Sequence, residues 1–145
     1  MTTINVYLTF NGNCETAFNY YRSVFGGEFA SVNRFGGMPL ADGHQISPEE
    51  QNRIMHISLP ISNETILMGS DTVGEGAANF LVGNNFAISI RTNSKKEADQ
   101  LFDQLSAGGR VTLPMDQTFW GDYFGMLTDQ FGINWMISFT PGAQG

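Results

Sequence analysis

Asp116-Gln-Thr-Phe-Trp-Gly-Asp-Tyr-Phe-Gly-Met-Leu-Thr-Asp-Gln-Phe-Gly-Ile-Asn-Trp-Met-Ile137 is the stretch on which the fold reading turns. A polar and aromatic turn, Phe119-Trp120-Gly121, leads into a strand-like run from Tyr123 to Thr128. The turn Asp129-Gln-Phe-Gly132 follows, then a second strand-like run from Asn134 to Phe139. Two β-prone runs around an Asp- and Gly-bearing turn predict a β-hairpin. Gly132 supplies a backbone conformation that residues with side chains resist.

Working outward, the same succession of elements is found twice. Ile4, Val6, Leu8 and Phe10 alternate with polar or aromatic neighbours, the period of a half-buried strand. A helix is expected from about Cys14 to Phe25, with Asn13 as N-cap and Glu15 in the first turn, where the helix dipole favours an acid. Ala17, Phe18, Tyr21, Val24 and Phe25 recur at helical spacing as its buried face, leaving Tyr20 to solvent, and Gly26-Gly27 ends it. Strands are expected near 28–35, 53–61 and 64–69, with a loop over 36–53 and a turn at Ser62-Asn63. Glu49 and Glu50 after Pro48 read as a solvated helix start. Residues 71–83 form a Gly- and Ala-rich connector. The pattern then restarts with Phe86, Ile88 and Ile90 on one strand face. Ser94-Lys-Lys-Glu97 is a capping-box signature. Ala98, Leu101, Phe102 and Leu105 give the second helix its apolar face, Gly108-Gly109 ends it, and strands follow near 110–115, 123–128 and 134–139. The period, roughly 80 residues, is far longer than that of a solenoid repeat, so this is a duplication of one module. A single domain of two modules, about 1–70 and 84–145, is expected.

The bulk composition narrows the function classes. A formal charge of −7 argues against a nucleic-acid footprint and against an anionic membrane surface. No apolar run approaches the length of a membrane span, and the first residues lack a basic stretch followed by an apolar core. One cysteine excludes an intrachain disulfide. These features imply a soluble, cytoplasmic protein.

The closing hairpin, with the head Tyr7-Leu-Thr-Phe-Asn-Gly-Asn-Cys-Glu-Thr-Ala-Phe-Asn-Tyr-Tyr-Arg-Ser-Val-Phe-Gly-Gly-Glu28, resembles the PhnB-like branch of the vicinal oxygen chelate superfamily. That superfamily also holds glyoxalase I, the bleomycin-resistance proteins and the extradiol dioxygenases. The resemblance spans nearly the whole chain. It implies an α+β fold in which two βαβββ modules form an open, cupped, mostly antiparallel sheet, with helices on the outer face and a pocket inside. It also implies a homodimer, since members commonly pair.

Strand alternation then nominates pocket-facing side chains. Ile4, Val6 and Leu8 should pack under the first helix, turning Tyr7 and Thr9 to the other face. On the third strand Met55, Ile57 and Leu59 form the apolar face and Ile54, His56 and Ser58 the mixed one. In the second module Ala87, Ser89 and Arg91 face inward, as do Asn134 and Met136 on the last strand. Trp120, with Phe119, lids the pocket or serves as a core or interface aromatic. The ligand-contact candidates are therefore Tyr7, Thr9, His56, Ser58, Ser89, Arg91, Trp120 and Met136.

Metal-dependent members hold a divalent ion with His, Gln or Glu from the first and last strands of each module. Here those positions carry Val6 or Tyr7, Leu67 or Met68, Ala87, and Met136. None is a normal ligand for a hard or borderline cation, and Tyr7 would ligate only as a phenolate. No metal and no other cofactor is expected on this ground, and no glycine-rich nucleotide motif is present. The histidines are His44, in a loop, and His56. His56 is either a hydrogen-bonded core-edge residue or a ligand-binding or acid–base group, and is the one catalytic candidate. Arg91 is either a solvated strand-end charge or a clamp for a carboxylate or phosphate. Cys14, at a helix start with no base beside it, reads as a small capping residue.

The leading reading is a small-molecule-binding protein, catalytic or not, whose partner is a small ligand rather than nucleic acid or membrane. The alternatives are a metal-dependent lyase or isomerase of glyoxalase type, with His56 as first ligand, and a protein–protein interaction module with a vestigial pocket.

Overall fold

A computed structural model describes residues 2–37 and 47–142. His44 and half of the loop expected over 36–53 lie outside the described residues. The chain divides into two compact units, Met1–Leu81 and Val82–Gly145. Each unit forms its own four-stranded mixed sheet with a long helix.

The first unit runs β1 (Val6–Phe10), α1 (Cys14–Phe25), β2 (Ser31–Arg34), a 3-10 turn (Phe35–Gly37), α2 (Pro48–Gln51), β3 (Ile54–Pro60), β4 (Ile66–Asp71) and α3 (Glu75–Ala78). Its strand order is β1-β4-β3-β2, with β1 parallel to β4 and the other pairs antiparallel. The second unit runs β5 (Ile88–Arg91), α4 (Lys95–Ser106), β6 (Arg110–Gln117), β7 (Tyr123–Thr128) and β8 (Asn134–Phe139). Its order, β5-β8-β7-β6, with β5 parallel to β8, repeats the first. The expected α+β fold of two repeated modules is therefore the observed one.

α1 seats on its sheet through Cys14, Ala17, Phe18 and Tyr21, all fully buried. Val24, Phe25 and Tyr20 are half-buried, so the apolar stripe is narrower toward the C-terminal end than the spacing suggests. The seat demands a glycine in β4. A methyl group on Gly69 would lie 2.6 Å from Phe18 Cε1 and 2.8 Å from the Leu8 carbonyl oxygen. The second module makes the same provision on a different strand. A methyl group on Gly125, in β7, would lie 2.9 Å from Phe102 Cε2 of α4.

The N-terminus of α1 is held in a way that local sequence does not reveal. Asn13 occupies the cap position, but its side chain makes no capping hydrogen bond. The acceptor is Asp71, at the far end of β4. Its Oδ1 accepts from the Gly12 and Cys14 backbone N–H groups, each at 2.9 Å, and its Oδ2 accepts from Ile54 N–H at 2.9 Å. One buried carboxylate thus ties the β1–α1 turn and the start of β3 to β4. It also makes its surroundings hostile to negative charge. Burial first, and then the Asp71 carboxylate, push the Cys14 thiol far above its ordinary range. That agrees with the reading of Cys14 as a structural residue.

Other caps follow the sequence. Ser94 Oγ accepts from Glu97 N–H at 3.0 Å, and the Glu97 carboxylate reaches back to Asn93 N–H at 3.2 Å, one residue beyond the expected box. Ser47 and Glu50 complete a reciprocal capping box on α2, with Pro48 in its first turn. In the hairpin, Asp129 Oδ1 accepts from Phe131 and Ile133 N–H at 2.8 and 3.0 Å, and Oδ2 from Trp135 Nε1 at 2.8 Å. Gly132 takes φ +89°, as the turn reading requires.

Three further expectations fail for physical reasons. Ile4 is 92% exposed, because pairing of β1 with β4 begins only at Val6 and Leu67. Phe86 is 60% exposed and precedes β5, which begins at Ile88. Ile54 is fully buried rather than on the mixed face with His56. Asn33 pairs with His56 but Arg34 with Ile54, so Met55 is an extra residue that shifts the alternation.

Replacing Asp71 with Ala leaves three backbone donors without their acceptor, at about 1–3 kcal/mol for a buried unsatisfied group. The urea midpoint should fall by an amount worth roughly 3 kcal/mol or more, with little change in slope. An unchanged midpoint would show that Asp71 does not hold the module together. Gly69→Ala should cost about 1–3 kcal/mol by overpacking. A double-mutant cycle with Phe18→Leu should show partial relief, and strict additivity would contradict the proposed clash.

Candidate functional site

Cα partners on neighbouring strands project their side chains to the same side of a sheet. In the first unit, Leu8, Ile57, Leu59 and Leu67 face the core and are buried. The alternating set occupies the opposite face. Tyr7 pairs with Met68, Met68 with Ser58, and Ser58 with Ser31, which makes one row across all four strands. The next row holds Thr9 beside Ser70, and His56 beside Asn33.

The four candidates of this unit, Tyr7, Thr9, His56 and Ser58, therefore share a face. Tyr7 is 48% exposed, and its ring lies 5.9 Å from that of His56, tilted by 32°. Ser58 is buried, and its hydroxyl meets that of Ser31 at 3.0 Å. Thr9 is exposed, and His56 and Met68 are half-buried. The face is thus aromatic, hydroxyl-bearing and thioether-bearing. It carries no Asp, Glu, Lys or Arg in these two rows.

The second unit repeats the arrangement. Ser89 pairs with Met136 and Arg91 with Ser138. Met136 and Ser138 pair in turn with Met126 and Phe124. The candidates Ser89, Arg91 and Met136 thus share one face, with Ser89 and Arg91 exposed and Met136 half-buried. Asn134 is half-buried, its Nδ2 donating to the Phe86 carbonyl at 3.2 Å and its Oδ1 accepting from Thr128 Oγ1 at 2.7 Å.

Arg91 and Trp120 are linked through two residues that alternation does not nominate. Arg91 Nη2 donates to Thr140 Oγ1 at 2.7 Å, and the Thr140 hydroxyl donates to Asp122 Oδ1 at 2.7 Å. Trp120 Nε1 donates to Asp122 Oδ2 at 3.0 Å. Trp120 also lies edge-on to Phe119 at 5.0 Å and stands 6.1 Å from Phe124. Phe119 is 98% exposed and Trp120 55%, so neither is a core residue of the unit. The Trp-Gly-Asp turn carried a local signal for the Trp120–Asp122 bond. Thr140, beyond the last strand, carried none.

The paired registers also identify equivalent positions. Tyr7 beside Met68 corresponds to Ser89 beside Met136. The second-module counterpart of Tyr7 is therefore Ser89 rather than Ala87, which precedes β5. The resemblance implies metal positions on the first and last strands of each module, and these carry Tyr7 and Met68 in the first unit and Ser89 and Met136 in the second. Neither the pair in the first unit nor the pair in the second supplies the imidazole or carboxylate that a hard or borderline divalent ion takes. Among the described residues no group of three or more His, Cys, Asp or Glu stands close enough to hold a metal. No helix among them is long and apolar enough to cross a membrane.

Comparison with known proteins places this architecture. Residues 3–137 match the family model described as the Glyoxalase/Bleomycin resistance protein/Dioxygenase superfamily. Protein YjdN of Escherichia coli is 32% identical over 141 residues, covering 93% of each chain. The crystal structure of protein PA1353 from Pseudomonas aeruginosa superposes with a TM-score of 0.80 at 34% identity, over 97% of this chain and 98% of that one. A PhnB protein from Bacillus cereus has a TM-score of 0.74 at 23% identity, over 96% of this chain and all of that one, a likeness of fold. Together with the repeated βαβββ modules, these matches make the chain a member of the Glyoxalase/Bleomycin resistance protein/Dioxygenase superfamily.

Proposed function

We propose that this protein binds a small organic molecule on the open faces of its sheets, and that it does so without a divalent metal. The observation that carries the reading is the face shared by Tyr7, Thr9, His56 and Ser58, with the Tyr7 ring over His56. Aromatic surface and a few convergent hydroxyl and imidazole groups are the usual lining of a small-molecule site. A solvated strand face without such a role would more often carry charged side chains, and these two rows have none. The donor chemistry of Tyr7, Met68, Ser89 and Met136 supports metal independence. Any catalysis on this face would rest on His56, whose ring lies 5.9 Å from that of Tyr7, as a proton donor or acceptor.

The proposal includes a cytoplasmic homodimer. A net charge of −7 and a single, buried cysteine suit a reducing aqueous compartment. Exposed Phe86 and Leu81 supply apolar surface of the kind that a partner subunit covers.

A thermal-shift screen of a metabolite library, run with and without EDTA, tests the reading. A ligand at 100 times its Kd stabilises the folded state by about 2.7 kcal/mol, a shift of several degrees. We expect such a shift for at least one compound class, unchanged by EDTA and diminished in His56→Ala and Tyr7→Leu, both of which should fold. Stabilisation that disappears with the chelator would transfer the reading to a metal-dependent enzyme. No stabilisation by any compound would favour an interaction module.

A further inference from the structure

We infer that Arg91 is an anion-recognising group and that its ligand is a small aromatic carboxylate, the aryl ring lying against Trp120 and Phe119. This rests on the small-molecule-binding reading and names a ligand class for the open face of the second unit's sheet.

The first support is the way Arg91 is held. Arg22, Arg34 and Arg53 each meet a carboxylate, Glu28 at 2.9 Å, Glu15 at 2.7 Å and Glu49 at 3.2 Å. Arg91 and Arg110 make no ion pair among the described residues, and of the two Arg91 is the one that is positioned, its Nη2 bonded to the neutral hydroxyl of Thr140. Thr140 gives its proton to Asp122 Oδ1, so the lone pair it turns to Arg91 is fixed in direction. Asp122 Oδ2 is occupied by the Trp120 indole N–H. The guanidinium is therefore oriented through a chain of hydrogen bonds, while its charge is not neutralised by direct contact. A planar fork held on one nitrogen keeps its other N–H groups for a carboxylate, which it matches with two parallel hydrogen bonds.

The second support is independent of charge. Trp120 and Phe119 are aromatic surface left open to water, 55% and 98% exposed. The Trp120 indole is anchored through its N–H, and its ring packs near Phe119 and Phe124. An anchored indole is a stacking platform that loses little conformational freedom when a flat ring covers it. Arg91, Ser138 and Phe124 are successive Cα partners across β5, β8 and β7, which puts the cation and the aromatic cluster in one row of one sheet face. The same Asp122 carboxylate organises both. A carboxylate attached directly to an aromatic ring is the small ligand that uses both features. The charge of −7 disfavours large polyanions at this surface, which leaves a compact monoanion.

The test uses the full-length protein and three probes: benzoate, benzamide as its neutral counterpart, and acetate as the carboxylate without a ring. Dissociation constants come from calorimetry, with tryptophan emission as a second readout assigned through Trp120→Phe. Benzoate should bind and perturb Trp120, benzamide and acetate should each bind about 10-fold or more weakly, and added salt should weaken benzoate alone of the first two. Arg91→Met, at an exposed position, should keep its circular dichroism and weaken benzoate by about 10- to 100-fold, with Arg91→Lys between the two. Benzamide binding as well as benzoate, unchanged affinity in Arg91→Met, or no benzoate binding at millimolar concentration would each overturn the inference. Should the metabolite screen yield only neutral or Arg91-insensitive ligands, this inference fails and the binding reading stands. A screen without any ligand removes both.

Discussion

The carboxylate of Asp71 is the constraint on which the first module depends. Local forces alone give β1, α1 and β3 as separate elements, and the Asn13 side chain at the start of α1 makes no capping bond. Asp71 accepts from Gly12, Cys14 and Ile54 at once and so fixes the turn, the helix start and the third strand relative to β4. With that end pinned, Phe18 descends onto Gly69, and β1 lies beside β4 in parallel register. The register then decides that Tyr7 stands next to Met68, and that the row continues to Ser58 and Ser31. The candidate face thus follows from a buried hydrogen-bonding requirement at the other end of the same strands. The second module meets the same requirement with local parts. It caps α4 with Ser94 and places its buried carboxylate, Asp129, in the β7–β8 turn.

Much of this was legible in the residues. Helical spacing located α1 and α4, turn chemistry located the β7–β8 hairpin, and Ser94 and Pro48 marked helix starts correctly. These signals are local, since each is carried within one or two turns of the chain. The failures involve partners distant in sequence or a broken period. Asp71 acts on residues 57 and 59 positions away, so Asn13 was credited with the cap. Alternation assumes an unbroken pleat, and the extra residue at Met55 moved Ile54 to the buried side. Ile4 and Phe86 have strand-like character but stand before the first paired residue of their strands. Alternation did place Tyr7, Thr9, His56 and Ser58 on one face, because no bulge lies among the β1, β3 and β4 residues that carry them. It had no means of finding Thr140 or Asp122, which reach Arg91 and Trp120 from outside the regular pairing.

The chemistry of the equivalent positions is what supports the proposed metal independence. The fold is shared, and the four strand positions are recognisable by register, but they carry Tyr7, Met68, Ser89 and Met136. Phenol, hydroxyl and thioether groups suit contact with an organic molecule better than coordination of a hard cation. The same scaffold supports many functions, so membership alone does not choose among them. The proposed binding reading rests on these side chains and on the Tyr7–His56 pair, and the proposed ligand class on the hydrogen-bonded link from Arg91 to Trp120.

Elemental analysis of the purified, untagged protein tests the metal-independent account most directly. Zinc, nickel, manganese and iron should each be far below one ion per chain, and the folded protein should not take up added ions. Close to one tightly held ion per chain, lost in His56→Ala, would contradict the account and make a lyase or isomerase of glyoxalase type the reading to pursue.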